Sequence, residues 1–66
     1  MNRDGDILRR MIRDLELSQD AFSRLIGISP RMLENYLNGE KYKAPKKIML
    51  AARWIYLEKT GDKFKL

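Results

Sequence analysis

An all-α fold, a compact bundle of four or five helices, is what the sequence predicts. Apolar residues recur at helical spacing in each stretch between turn signals, and serine, proline and glycine stand where helix starts and stops are needed. The third observation is length: 66 residues fill one hydrophobic core and no more, so residues 1–66 are read as a single domain. Chains of this size bury only about 60% of their unfolded surface, which makes a dimer expected on size alone.

The first helix follows from Ile7, Leu8, Met11, Ile12 and Leu15, one apolar stripe with Arg9, Arg10, Arg13 and Asp14 opposite. Asp4 or Asp6 is expected to cap its start. Ser18 is the natural N-cap of the second helix, whose inward face is expected to comprise Ala21, Phe22, Leu25 and Ile26, and Gly27 stops it. Ser29 and Pro30 open a third helix, a cap followed by a proline whose missing N–H costs no helix hydrogen bond. It runs to about Asn38, with Gly39 as its stop and Glu40, Lys41, Tyr42, Lys43 and Ala44 as a loop. Pro45 opens the last helix, which is expected to end at Thr60 and Gly61. Ile48, Ala51, Ala52 and Ile55 make its inward stripe. Met49, Leu50, Trp54, Tyr56 and Leu57 spread apolar surface onto its other faces, more than one thin core can cover.

Composition narrows the function. There is no cysteine and no histidine, which removes disulfides, thiolate nucleophiles, zinc sites of the usual kind and imidazole acid–base chemistry. No carboxylate pair, nucleophile–base set or phosphate-cradling glycine loop can be assembled, so neither an enzyme nor a cofactor is expected. Fourteen Lys and Arg against nine Asp and Glu leave a net charge of +5, suited to a polyanion; nucleic acid and an anionic membrane surface both satisfy it. No apolar run approaches the ~20 residues needed to span a bilayer, and the amino terminus lacks the apolar core of a signal peptide, so a cytoplasmic location is expected.

Two short helices joined by a tight, glycine-containing turn over roughly Ser18 to Asn38 have the spacing of a helix-turn-helix. Phe22, Leu25, Ile28, Leu33, Tyr36 and Leu37 can share its core. At about 100° per residue, Arg31, Glu34, Asn35 and Asn38 fall on one arc of the third helix. From that arc Arg31 could hold guanine O6 and N7, and Asn35 could pair with adenine N6 and N7. Ser29, Pro30 and Met32 stand at the leading end, where Pro30 and Met32 could touch thymine methyls. Lys41, Lys43, Lys46 and Lys47 follow the arc without an intervening acid, and at least two of them, Lys41 and Lys43 foremost, are expected on the sugar–phosphate backbone. Arg9, Arg10 and Arg13 are read instead as a solubilising face with intrahelical pairing.

Through Leu17-Ser18-Gln19, Phe22, Gly27-Ile28-Ser29, Leu33, Tyr36 and Asn38-Gly39, residues 7 to 57 resemble the phage Cro and repressor-type helix-turn-helix proteins of lambda-repressor-like fold. Within that family, the run from Ser29 to Leu37 looks most like small phage autoregulators, including those associated with anti-CRISPR operons. The resemblance implies a homodimer that represses a promoter by covering an inverted repeat in double-stranded DNA. It implies that Gln19 touches a phosphate, that Arg31 reads bases and that Asn38 holds backbone. Two residues depart from the pattern. Ser23 stands where the family usually has alanine, its hydroxyl expected to bond the preceding turn. Glu34 places a carboxylate on the DNA-facing arc, where it must accept from cytosine N4 or be neutralised by Arg31.

The surplus apolar surface of the last helix is read as a subunit interface of Met49, Leu50, Trp54 and Leu57, joined by Phe64 and Leu66 from the tail. The alternative is an interaction protein of antitoxin type that masks a second protein with the same helix. A membrane-surface role ranks third, because the arginine-bearing first helix lacks aromatic anchors, and no small-molecule substrate is expected.

Overall fold

Most of the helix ends described in the computed structural model rest on local chemistry. Residues 3–38 and 43–64 are described, and among them the helices are α1 (Asp4–Leu15), α2 (Gln19–Ile26), α3 (Pro30–Asn38) and α4 (Lys46–Thr60), with no strand. The expectations for Gly39, Glu40, Lys41, Tyr42 and Leu66 lie outside the described residues.

In α1, Asp4 and Asp6 occupy the first turn and favour the positive end of the helix dipole, but neither is the cap: Arg3 holds that position, without a side-chain hydrogen bond. The helix closes at Glu16, whose φ of 56° makes it left-handed, with Leu17 N–H donating back to Ile12 O at 3.2 Å. Ser18 caps α2 as expected, its Oγ accepting from Ala21 N–H at 3.0 Å, and Gly27 ends it at a φ of 79°. Ser29 Oγ then accepts from Met32 N–H at 3.1 Å and starts α3 at Pro30. Pro45 sits just ahead of α4, its carbonyl accepting from Ile48 and Met49, and Gly61 terminates that helix at a φ of 78°.

Both α1 and α2 pack on α3 and on α4. The core between them comprises Leu8 and Met11 of α1, Phe22 and Ile26 of α2, Leu33, Tyr36 and Leu37 of α3, Ala44, and Ala52 of α4. The radius of gyration, 10.7 Å, matches the roughly 11 Å of a globular chain of this length. No described helix is long and apolar enough to cross a membrane.

One expected core residue is not there. Leu25 is exposed, and Ser23 is fully buried in its stead, its hydroxyl donating to Asp20 O at 2.7 Å. At about 100° per residue Phe22, Ser23 and Ile26 share one arc of α2, and Leu25 lies beyond its edge. A serine whose hydroxyl is satisfied by its own helix can be buried at little cost, and burying it turns Leu25 outward.

The segment after α4 folds back. Phe64 meets Tyr56 edge-on at 5.0 Å between ring centroids, and the Arg10 guanidinium lies 5.0 Å from the Phe64 centroid. Tyr56 donates its hydroxyl to Asp14 at 3.1 Å, tying α4 to α1. Partial desolvation, then the Asp14 hydrogen bond and the charges of Asp14 and Asp62, raise the phenol above its ordinary 10.0 against a weaker opposing effect of Arg10, so it stays a donor at neutral pH.

Gly5 marks a close approach of α1 to α3. A Cβ there would stand 2.5 Å from the carbonyl oxygen of Leu37 and 3.0 Å from that of Tyr36. Inside a helix, Gly→Ala ordinarily gains about 1 kcal/mol. Here the backbones of α1 and α3 would have to part, so Gly5→Ala is expected to lower stability by about 1–3 kcal/mol in urea unfolding. An unchanged or raised midpoint would contradict the close approach.

Candidate nucleic-acid interface

The face of α3 away from the core is polar and open. Leu33, Tyr36 and Leu37 are buried, whereas Arg31, Glu34 and Asn38 are exposed and Asn35 is half-buried at the edge of the arc. Met32 is 41% exposed, and Ser29 and Pro30 are exposed at the leading end of the helix. The turn before α3 is held on both sides: Ile28 N–H donates to Ser23 O at 3.0 Å and Leu33 N–H to Ser29 O at 3.0 Å. Ile28 itself packs against the core. A helix of nine residues with its start pinned and one side buried presents its other side in a fixed orientation.

The charges on that arc are not mutually neutralised. Arg31 and Glu34 form no ion pair, although their spacing allows one, and the ion pair among the described residues is that of Arg24 with Asp20, at 2.9 Å on α2. The arc therefore offers a guanidinium, a carboxylate and two amides to whatever approaches it, a set that can both donate to and accept from base edges.

The remaining expected contact residues divide between two places. Gln19, the exposed first residue of α2, shares an open cleft of about 280 Å³ with Arg9, Arg10, Ile12 and Arg13 of α1 and with Leu37, next to Asn38 at the end of the arc. Lys43 and Lys46 border a separate depression with Asp4, Met49, Leu50 and Arg53, at the start of α4. Lys41 lies outside the described residues. The intrahelical pairing expected of the α1 arginines is not found: among the described residues Asp6 and Glu16 pair with none of them, and Asp14 accepts from Tyr56. Arg9 instead donates from a terminal guanidinium nitrogen to Leu37 O, at 3.4 Å. The cleft they form with Gln19 had no signature in the sequence, because it joins residues of three helices.

The apolar surface of α4 is also uncovered. Leu50 is 54% and Trp54 62% exposed, while Met49, Leu57 and Phe64 are half-buried. Leu50, Trp54, Leu57 and Phe64 border one groove, flanked by Arg53 and Lys63. Phe64 is also engaged within its own chain, by the Tyr56 ring and the Arg10 guanidinium.

Comparison with protein-family models, with curated proteins and with solved structures found no match to this chain.

Proposed function

We propose that this chain is a sequence-specific, double-stranded DNA-binding regulator of the Cro and repressor-type helix-turn-helix kind, with α2 and α3 as the motif and α3 as the helix that enters the major groove. The observation that carries the reading is the two-sidedness of α3: its apolar side is buried against α1 and α2, and its free side carries Arg31, Glu34, Asn35 and Asn38 with no ion pair between Arg31 and Glu34. Base readout needs side chains of this type on a rigid rod. With Arg31 on guanine and Asn35 on adenine, Glu34 must be accommodated by cytosine N4, since Arg31 does not neutralise it within the protein. The net charge of +5 supplies the sequence-independent attraction to phosphate.

The reading includes a homodimer closed through Leu50, Trp54 and Leu57 of α4. An exposed tryptophan and leucine beside a groove are the kind of anchors that interfaces bury. Two-fold symmetry would set recognition helices about 34 Å apart, hence an inverted repeat with half-sites about ten base pairs apart, and occupancy would repress by blocking polymerase. The flanking Arg53 and Lys63 favour a second reading, in which α4 covers an acidic partner protein as an antitoxin does.

Selection of binding sites from random duplex DNA is expected to enrich a palindrome for the wild-type protein. Arg31→Ala is expected to lose or relax the preference at one base position per half-site, a discrimination of about 1–3 kcal/mol. Equal enrichment by both proteins would remove Arg31 from base readout, and no enrichment by either would defeat the proposal. Sedimentation equilibrium is expected to give a dimer that Trp54→Ser shifts to monomer with the helical circular dichroism retained. A wild-type monomer at all concentrations would leave α4 to the acidic partner.

A further inference from the structure

We infer that Arg9, Arg13 and Gln19 form a phosphate-binding cleft, separate from the face of α3, that grips the DNA backbone beside the recognition helix. This rests on the DNA-binding reading above and adds to it a contact made by α1, a helix outside the motif.

Location is the first support. Leu37 of α3 lines the cleft, and its chain neighbour Asn38 belongs to the exposed arc, so the cleft adjoins the end of the helix proposed to enter the groove. The second support is the state of the arginines. Arg9 and Arg13 are one helical turn apart, and like charges at that spacing repel by a few tenths of a kcal/mol. The acids that could relieve them do not, as Asp6 and Glu16 make no ion pair among the described residues and Asp14 is taken by Tyr56. Arg10, between them, also borders the cleft, but its guanidinium lies over the Phe64 ring, whereas Arg9 and Arg13 line the cleft with Gln19 and have no such aromatic contact.

Preorganisation is the third. The bond from Arg9 to Leu37 O tethers one terminal nitrogen at the cleft, and a guanidinium has five N–H donors in all. Gln19 adds a side-chain amide at the amino end of α2, where the amides of Gln19 and Asp20 precede the first intrahelical bonds, made to Ser18 by Ala21 and Phe22. The guanidinium-bearing Arg9 and Arg13 and an amide donor lining one open cleft suit a phosphodiester, which offers two unesterified oxygens and one negative charge.

The test is the salt dependence of binding to a fluorescein-labelled duplex of mixed sequence, read by anisotropy between about 50 and 200 mM salt. Removing one phosphate ligand reduces the slope of log K against log salt by about 0.9. Arg13→Gln is expected to lower it by about that amount, and Arg9→Gln with Arg13→Gln by about twice that. The Arg13 side chain makes no hydrogen bond among the described residues, so its variant is the one least exposed to folding effects, and circular dichroism checks both. Binding-site selection with the double variant is expected to return the wild-type motif, because phosphate contacts carry no base information. A wild-type protein that binds DNA while both variants keep its slope would overturn the cleft and leave the DNA-binding reading standing. A wild-type protein that binds no duplex would overturn that reading and the cleft with it.

Discussion

At the carbonyl end of α3 the backbones of α1 and α3 come close together, and the orientation of α3 depends on it. Gly5 lets the backbone of α1 come against the carbonyls of Tyr36 and Leu37, closer than any residue with a Cβ would allow. One turn further along α1, Arg9 donates to that same Leu37 carbonyl. The last carbonyls of a helix have no partner within it and carry its negative pole, so a cation there is favoured and a bare glycine backbone permits its approach. At the other end, the Ser29 cap and the Ile28 bond to α2 pin the start of α3. With both ends fixed and Leu33, Tyr36 and Leu37 buried between them, the helix has one free side and little freedom to turn it.

That constraint decides what the rest of the molecule can present. The open side of α3 and the α1 cleft meet at Leu37 and Asn38, so polar and cationic groups from three helices adjoin one another. The most exposed of the large apolar side chains, Leu50 and Trp54, fall on α4, while Met32 is the large apolar side chain exposed on α3. The tail beyond α4 folds toward α1 through Phe64, Tyr56 and Arg10, which engages the Arg10 guanidinium at one border of the cationic cleft that Arg9 and Arg13 also line.

Features governed by a few neighbouring residues were legible in the sequence. Ser18, Gly27, Ser29, Pro30 and Gly61 act where cap chemistry places them, because an Oγ acceptor or a left-handed glycine works within one helical turn. The outward arc of α3 was legible for the same reason, as a matter of periodicity. Leu25 was misplaced because the alternatives on α2 differ by less than one residue's rotation, and a self-satisfied Ser23 tipped the balance. Gly5 stood in a charged, unremarkable stretch; its role depends on carbonyls of α3, far along the chain, and no local rule reports that. The α1 arginines had acids at pairing distance along the chain, so their joining of Gln19 is a product of tertiary packing alone.

Whether the free side of α3 is the surface that meets DNA can be read residue by residue. Backbone amide chemical shifts followed while a duplex carrying the selected site is titrated into the labelled protein give that reading. The account predicts that the largest changes fall on Arg31, Met32, Glu34, Asn35 and Asn38, with a second group at Gln19, Arg9 and Arg13, and that Leu50 and Trp54 stay still once the protein is dimeric. Changes concentrated on α4 with α3 unmoved would contradict it.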